Sequence, residues 1–231
     1  MTDSETGHAV VIGASGGIGS ALVAELEAQG WTVTALSRRT SPPLDLLDEA
    51  SIHAAAQALK EGGDTIRLII DATGFLHDDV FSPERSLREL DPDHFARAFA
   101  LNATGPALLM KHFLPLLPRQ GRSVFATLSA RVGSISDNRL GGWHAYRASK
   151  AALNQILRSV SIEMKRRKPE AICIALHPGT VATRLSEPFS KSGLDVRPPQ
   201  EAAQDLLRVI AGLGPDDSGG FRDHKGMAIS F

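Results

Sequence analysis

The chain is expected to fold as a single α/β domain: a doubly wound parallel sheet with helices on both faces. Three observations carry that expectation. Short, near-continuous apolar runs alternate with longer segments of helical period, the pattern of buried parallel strands joined by helices. A cluster of glycines follows the first apolar run directly. The 231 residues contain no Pro/Gly/Ser linker, repeat or low-complexity tract that would divide them, so one domain is expected over 1–231.

The strands are expected at 9–12, 31–36, 68–70, 124–126 and 171–176. All five are runs of Val, Ile, Leu, Ala and Phe broken by at most one or two polar residues. Between them, 20–28, 48–60, 91–114 and 146–167 have the composition and period of helices. In the last of these, Ala148, Ala152, Ile156, Val160 and Met164 recur every fourth residue along one slowly drifting face. Lys165-Arg166-Arg167-Lys168-Pro169 then ends it. Cations suit the negative end of the helix dipole and proline stops the helix, which explains this charge run better than a docking patch does.

Composition narrows the function classes. Apolar residues make up 42%, charged 22% and aromatic 5%, ordinary proportions for a globular protein. Lys plus Arg (25) nearly balance Asp plus Glu (26), so nucleic acid is not expected as a partner, since phosphate-backbone binders carry a basic excess. The start of the chain lacks the basic and apolar regions of a secretory signal, and no window approaches a membrane span. A single cysteine, Cys173 in an apolar run, reads as a buried thiol in a reducing compartment. The expected location is cytoplasmic. Eight histidines show no metal-ligand spacing, so no metal is expected.

The glycine cluster is Gly13-Ala14-Ser15-Gly16-Gly17-Ile18-Gly19. Glycine admits positive φ and lets backbone N–H groups approach a pyrophosphate at the positive end of the following helix. Its place after the first strand of a βαβ pattern points to a Rossmann-type dinucleotide site. After the second strand an NAD site offers a carboxylate to the ribose 2′-hydroxyl. Here Ser37-Arg38-Arg39-Thr40 stands instead, and no carboxylate occurs between Glu27 and Asp45. Two guanidinium groups suit a 2′-phosphate, so NADP is expected over NAD. Without the glycine loop they would read as two solvated arginines.

Tyr146 and Lys150 lie one helical turn apart on one face. A free phenol has a pKa near 10, too high for efficient proton exchange at neutral pH, and a neighbouring ammonium is expected to lower it. A lone Y-x-x-x-K pair is common. The ordered combination with the glycine loop is not.

Taken together, these residues resemble the short-chain dehydrogenase/reductase family over nearly the whole chain. Gly13 to Gly19 match its glycine loop, and Asp71-Ala72-Thr73-Gly74 resembles its N-N-A-G turn after the fourth strand with two substitutions. Leu101-Asn102-Ala103 resembles the segment bearing its active-site asparagine, and Pro178-Gly179-Thr180-Val181-Ala182-Thr183 matches its P-G-x-V-x-T loop. Ser129-Ala130-Arg131-Val132-Gly133, Asn138 to Gly142 and Ser218-Gly219-Gly220-Phe221 resemble the C-factor and sniffer-type carbonyl reductase branch.

The resemblance implies an NADP(H)-dependent oxidoreductase acting between a carbonyl and an alcohol. Tyr146 would be the general acid/base and Lys150 its helper and a ribose ligand. Asn102 would anchor a proton-relay water, and a serine near the end of the fifth strand would hold the carbonyl oxygen. The position that normally carries that serine is Ala130; Ser129 is expected to replace it, with Ser134 the other nearby hydroxyl. Cofactor contacts are expected from Gly13, Ser15, Gly16, Gly17, Ile18, Gly19, Arg38, Arg39, Asp45, Ala72, Thr73, Gly74, Asn102, Tyr146, Lys150, Pro178, Gly179, Val181 and Thr183.

The segment 185–199, with Phe189 and three prolines, is expected to be a lid over the substrate; its few charges do not announce an acidic substrate. Trp143 and His144 are candidates to line the pocket, and His177 reads as a structural histidine. The family also implies a homodimer or homotetramer paired through the helices beginning near Asp91 and Tyr146. Two other functions compete: an NADP(H)-binding signalling or regulatory protein with little turnover, and a sugar epimerase. The second is disfavoured by the short chain.

Overall fold

The computed structural model describes residues 7–189 and 196–231. The amino-terminal half runs β1 (His8–Ile12), α1 (Gly17–Ala28), β2 (Thr32–Leu36), α2 (Glu49–Gly62), β3 (Ile66–Asp71), α3 (Pro92–Phe99) and α4 (Gly105–Phe113). The remainder is β4 (Ser123–Leu128), α5 (His144–Arg167), β5 (Ala171–His177), β6 (Thr180–Val181), β7 (Val196–Arg197), α6 (Pro199–Ala211) and β8 (Phe221–Asp223). Six strands form one all-parallel sheet in the order β2-β1-β3-β4-β5-β8, and β6 pairs with β7 separately.

Strand side chains alternate between two apolar layers. Val10, Ile12, Ile69, Phe125 and Cys173 pack with Leu109 and Phe113 of α4 and Leu153 and Leu157 of α5. Val11, Leu68, Ile70, Val124 and Ile174 pack with Leu22 and Leu26 of α1 and Leu206 and Ile210 of α6. Each fully buried leucine contributes roughly 2 kcal/mol. Both faces are covered, which is why the strands read as unbroken apolar runs. Burial pushes the Cys173 thiol up to about 12, leaving it unreactive.

The order reverses at β1, with β2 on one side and β3 on the other. In open α/β sheets the crevice beyond the carboxyl ends of the strands at such a reversal is where ligands bind. The loops after β1, β3, β4 and β5 all emerge at that edge.

Several expectations need correction. Counted along this chain, the 71–74 turn follows the third strand and Ser129 the fourth, each one place earlier than in the family pattern it resembles. The expected helix over 91–114 is interrupted by a π-helical turn, Ala100–Thr104. Pro106 cannot donate to the carbonyl of Asn102 four residues back, and a Cβ on Gly105 would lie 2.8 Å from Leu46 Cβ. Of the residues recurring every fourth position along α5, Ala148, Ala152, Ile156 and Val160 are half-buried and Met164 is buried, while the neighbouring face carries the buried Ala145, Ser149, Leu153, Leu157 and Ser161. Of the terminal cations, Lys168 is drawn in, its ammonium donating to Leu114 O and Pro115 O, each at 2.9 Å. Part of the expected lid, 190–195, lies outside the described residues.

Candidate active site

A cavity of about 490 Å³ opens at the carboxyl edge of the sheet, and Tyr146, Ile18, Pro178, Gly179, Val181 and Thr183 all line it. The glycine loop enters first. Gly13 adopts φ +82°, and a Cβ on Gly19 would come within 2.2 Å of Gly13 O, so only glycine permits so tight a turn into α1. A Cβ on Gly17 would lie 2.8 Å from Thr183 Cγ2, which sets the loop after β5 directly against the start of α1. No side chain caps that helix and its first turn has no acid. Its leading N–H groups, from Gly17, Ile18 and Gly19, have no carbonyl one turn back to bond. Free N–H groups at the start of a helix suit a pyrophosphate, so the residues present fit a dinucleotide. Ser15 and Gly16 are exposed in the glycine loop.

Beyond β2, Ser37 and Thr40 close a tight turn, with Ser37 N donating to Thr40 Oγ1 at 3.0 Å and Arg39 N to Ser37 Oγ at 3.1 Å. The turn leaves Arg38 and Arg39 exposed, and neither forms an ion pair among the described residues. Asp45 folds on itself, its Oδ1 accepting from Leu47 N at 3.0 Å.

After β3, Ala72 N donates to Ile12 O (2.8 Å), tying this loop to the end of β1. Asp71 is fully buried and accepts from Thr73 N (3.0 Å), Thr73 Oγ1 (2.5 Å) and Thr127 Oγ1 (2.7 Å). Burial pushes its carboxyl up, against these hydrogen bonds and the attraction of Lys150. Gly74 lies beside the lysine: a Cβ there would sit 3.7 Å from Lys150 Nζ, in ordinary contact.

Asn102 occupies the π turn, a local widening that recurs at functional sites. Its Nδ2 donates to Phe75 O (2.7 Å) and Ser149 Oγ (3.1 Å), while its Oδ1 accepts from Phe75 N (2.8 Å). Ser149 Oγ in turn donates to Tyr146 O at 2.9 Å. Asn102 thus clamps the loop after β3 to the first turns of α5.

Tyr146 and Lys150 stand on α5, and both are buried. Lys150 Nζ donates to Leu128 O at 2.8 Å, leaving two ammonium protons uncommitted to that bond. Burial brings the lysine down to about 8, partly opposed by the Asp71 carboxylate. The phenol departs from expectation: burial pushes Tyr146 up rather than the lysine drawing it down. The ammonium is directed at a backbone carbonyl, and desolvation of the phenolate dominates.

Of the expected serines, Ser129 lines the cavity, and its Oγ donates to Asn154 Oδ1 at 2.7 Å. Ser134 is also buried, and its Oγ accepts from Asp137 N at 3.2 Å. Ala130, extended at φ −139°, lines the cavity with its methyl group.

Trp143 lines the cavity and stacks edgewise on Tyr146 and Phe189, with ring centroids 6.2 and 5.4 Å apart; His144 opens α5 but is not in the lining. His177 also lines it. Burial lowers it to about 4, so it is a neutral ring near pH 7.

Two residues that set this geometry carry no sequence signal of their own. Glu84 is buried and its two carboxylate oxygens each lie 3.3 Å from Ala145 N at the start of α5; its carbonyl accepts from Trp143 N at 2.5 Å. His94 of α3 backs it, Nδ1 to Oε1 at 3.2 Å. Trp143 is held at φ +53° there, and α5 begins one residue later. Neither side chain belongs to a motif, and their pairing exists only because the loop before α3 folds back between α3 and the start of α5.

Comparison with known proteins is consistent with this arrangement. A family description, short chain dehydrogenase, matches residues 7–193. The C-signal protein of Myxococcus xanthus is 37% identical over 145 residues, covering 62% of this chain and 82% of that protein. The 1-hydroxy-2-glutathionyl-2-methyl-3-butene dehydrogenase of Rhodococcus sp. (strain AD45) is 32% identical over 209 residues, 90% of this chain and 84% of the relative. An NADPH-bound carbonyl reductase from chicken fatty liver superposes with a TM-score of 0.84 at 26% identity, over 98% of this chain and 99% of that one. The chain therefore belongs to the short-chain dehydrogenase/reductase family of oxidoreductases.

Proposed function

We propose that this protein is an NADP(H)-dependent reductase of aldehydes or ketones, with Tyr146 as proton donor. The observation that carries this reading is the convergence of the glycine cradle, the loop after β5 and Tyr146 on one cavity. A bound nicotinamide would supply the hydride to the carbonyl carbon. The residues of Gly13–Gly19 would hold the pyrophosphate, while Ala72, Thr73, Gly74, Pro178, Gly179, Val181 and Thr183 border the path toward Tyr146. Arg38 and Arg39, exposed and without ion pairs among the described residues, suit a 2′-phosphate, and the chicken reductase at 26% identity is NADPH-bound.

The phenol is held in its protonated form by burial, which is the form that gives a proton to the oxygen of a carbonyl as it becomes an alkoxide. Lys150, one turn along the same helix face, offsets the negative charge then left on the phenolate, its two free protons available to a ribose hydroxyl and to the phenolate oxygen. Asn102 acts as a positioning residue through Ser149. The half-buried Ala148–Val160 stripe, beside the α4 surface, suits pairing of copies of the chain in a homodimer or homotetramer, which light scattering would read.

A second reading, an NADP(H)-binding regulator with little turnover, is favoured by one observation: Ala130 stands where the family carries its serine, and the hydroxyl of Ser129 beside it is bonded to Asn154. Calorimetry with NADPH and NADH, followed by a carbonyl panel, separates the two. Turnover that disappears in Tyr146→Phe supports the reductase. Tight NADPH binding without turnover on the panel supports the regulator.

A further inference from the structure

Part of the cavity lining comes from the segment between β4 and α5 and from the first turn of α5, and it is basic. Arg131, Arg139 and Arg147 line it, and Asp137 is the only carboxylate among the described lining residues. Asp137 neutralises little: it meets Arg131 Nε at 3.7 Å, with both side chains about half exposed. Arg139 has no ion pair among the described residues. Arg147, the neighbour of Tyr146, has none either; its Nε donates to Gly142 O (2.9 Å) and its Nη1 to Val132 O (3.3 Å). Those two bonds fix the guanidinium plane without cancelling its charge, and burial already lowers its pKa. The apolar part of the lining includes Leu76, Trp143, Leu185 and Phe189, with Trp143 edgewise on both Tyr146 and Phe189.

We infer that the substrate is a carbonyl compound with an apolar or aromatic body and a carboxylate at its far end, the carboxylate being held by Arg139, Arg147 and Arg131. This rests on the reductase reading. Three guanidiniums against one carboxylate leave an excess of two positive charges at the cavity wall, and such an excess is relieved by an anionic ligand group. The cofactor's phosphates do not account for it, because their proposed ligands lie at the start of α1 and at Arg38 and Arg39. The charge also lies outside the 185–199 segment, whose composition alone announces no acidic substrate.

The test is a matched pair of probes, 4-formylbenzoate and its methyl ester, reduced with NADPH by the protein. The expected kcat/KM for the acid exceeds that for the ester by about tenfold at low salt, as one or two charge-assisted contacts supply. The preference shrinks in about 0.5 M NaCl as the contact is screened. An Arg131→Ala/Arg139→Ala double variant brings the two probes to within about twofold of each other, and Arg139→Glu favours the ester. NADPH binding to each variant, by calorimetry, shows that the fold and cofactor site persist. Equal turnover of acid and ester by the unmodified protein overturns the carboxylate site and leaves the reductase reading standing. An unchanged acid preference in both variants also overturns it. No turnover of either probe or of a wider carbonyl panel, with NADPH bound, overturns the reductase reading and this inference with it.

Discussion

Lys150 offers a quantitative test, because its burial sets activity and stability against each other. Its pKa falls from 10.5 to about 8 in the folded protein. A gap of about 2.5 corresponds to roughly 3 kcal/mol of folding stability forgone while both folded and unfolded chains hold the proton. That penalty is fully present below pH 8. As pH rises from about 8 towards 10.5, the folded lysine releases its proton while the unfolded one retains it, so stability recovers. Between pH 7 and 9.5 the linkage relation gives a recovery of about 2 kcal/mol. A Lys150→Met variant has no such contribution, although it leaves Leu128 O without its donor, at a cost of about 1–3 kcal/mol. Urea unfolding followed by tryptophan fluorescence at both pH values measures the effect. The expected result is that wild type gains about 2 kcal/mol on Lys150→Met from pH 7 to pH 9.5. A difference that stays constant within about 0.5 kcal/mol, or moves the other way, refutes the assignment of a desolvated ammonium at this position.

Replacing both Arg38 and Arg39 by serine is expected to weaken NADPH binding by about tenfold to a hundredfold. NADH serves as the internal comparison in calorimetry, and an equal loss for both nucleotides removes the 2′-phosphate assignment. Ala130→Ser is expected to raise kcat on a good carbonyl substrate by at least about tenfold, since a positioned donor at the developing oxyanion contributes on this scale. A folded variant with no increase shows that the Ala130 position does not face the reacting oxygen. Glu84→Ala is expected to cost about 3 kcal/mol, because it strands the buried His94 and the Ala145 N–H. The thermal midpoint reads that loss directly, and a shift under about 1 °C contradicts the role of Glu84 at the head of α5.

Much of the scaffold was legible because each element buries both sides of a strand or one face of a helix. The five apolar runs are all strands, and the glycine loop turns where its spacing predicts. α6 escaped notice although Ala202, Ala203, Leu206, Leu207 and Ile210 have the required period, since its proline-led start reads as loop. β8 was illegible. Its three residues pair only with Ala175 to His177 of β5, and nothing local in Phe221-Arg222-Asp223 specifies a strand.

The candidate site divides in the same way. Residues linked by short covalent spacing could be read directly: the cradle of Gly13 to Gly19, the Arg38–Arg39 pair, and Tyr146 with Lys150. Contacts between distant segments could not. One is the proton of Ser129 turning to Asn154; others are Glu84 and His94 meeting at the start of α5, and Asp71 lying within the field of Lys150. The direction of the phenol's shift belongs to this second group as well. Sequence places an ammonium one turn from Tyr146, but only the packed structure shows how completely both are removed from water. Desolvation of a charged form depends on everything that surrounds it, whereas helical spacing depends on the chain alone. The sequence by itself therefore determined the family, the places of five strands and the helix that carries Tyr146 and Lys150. Tertiary packing decided which hydroxyl is committed, which charge is left unpaired and which protonation state waits in the cavity.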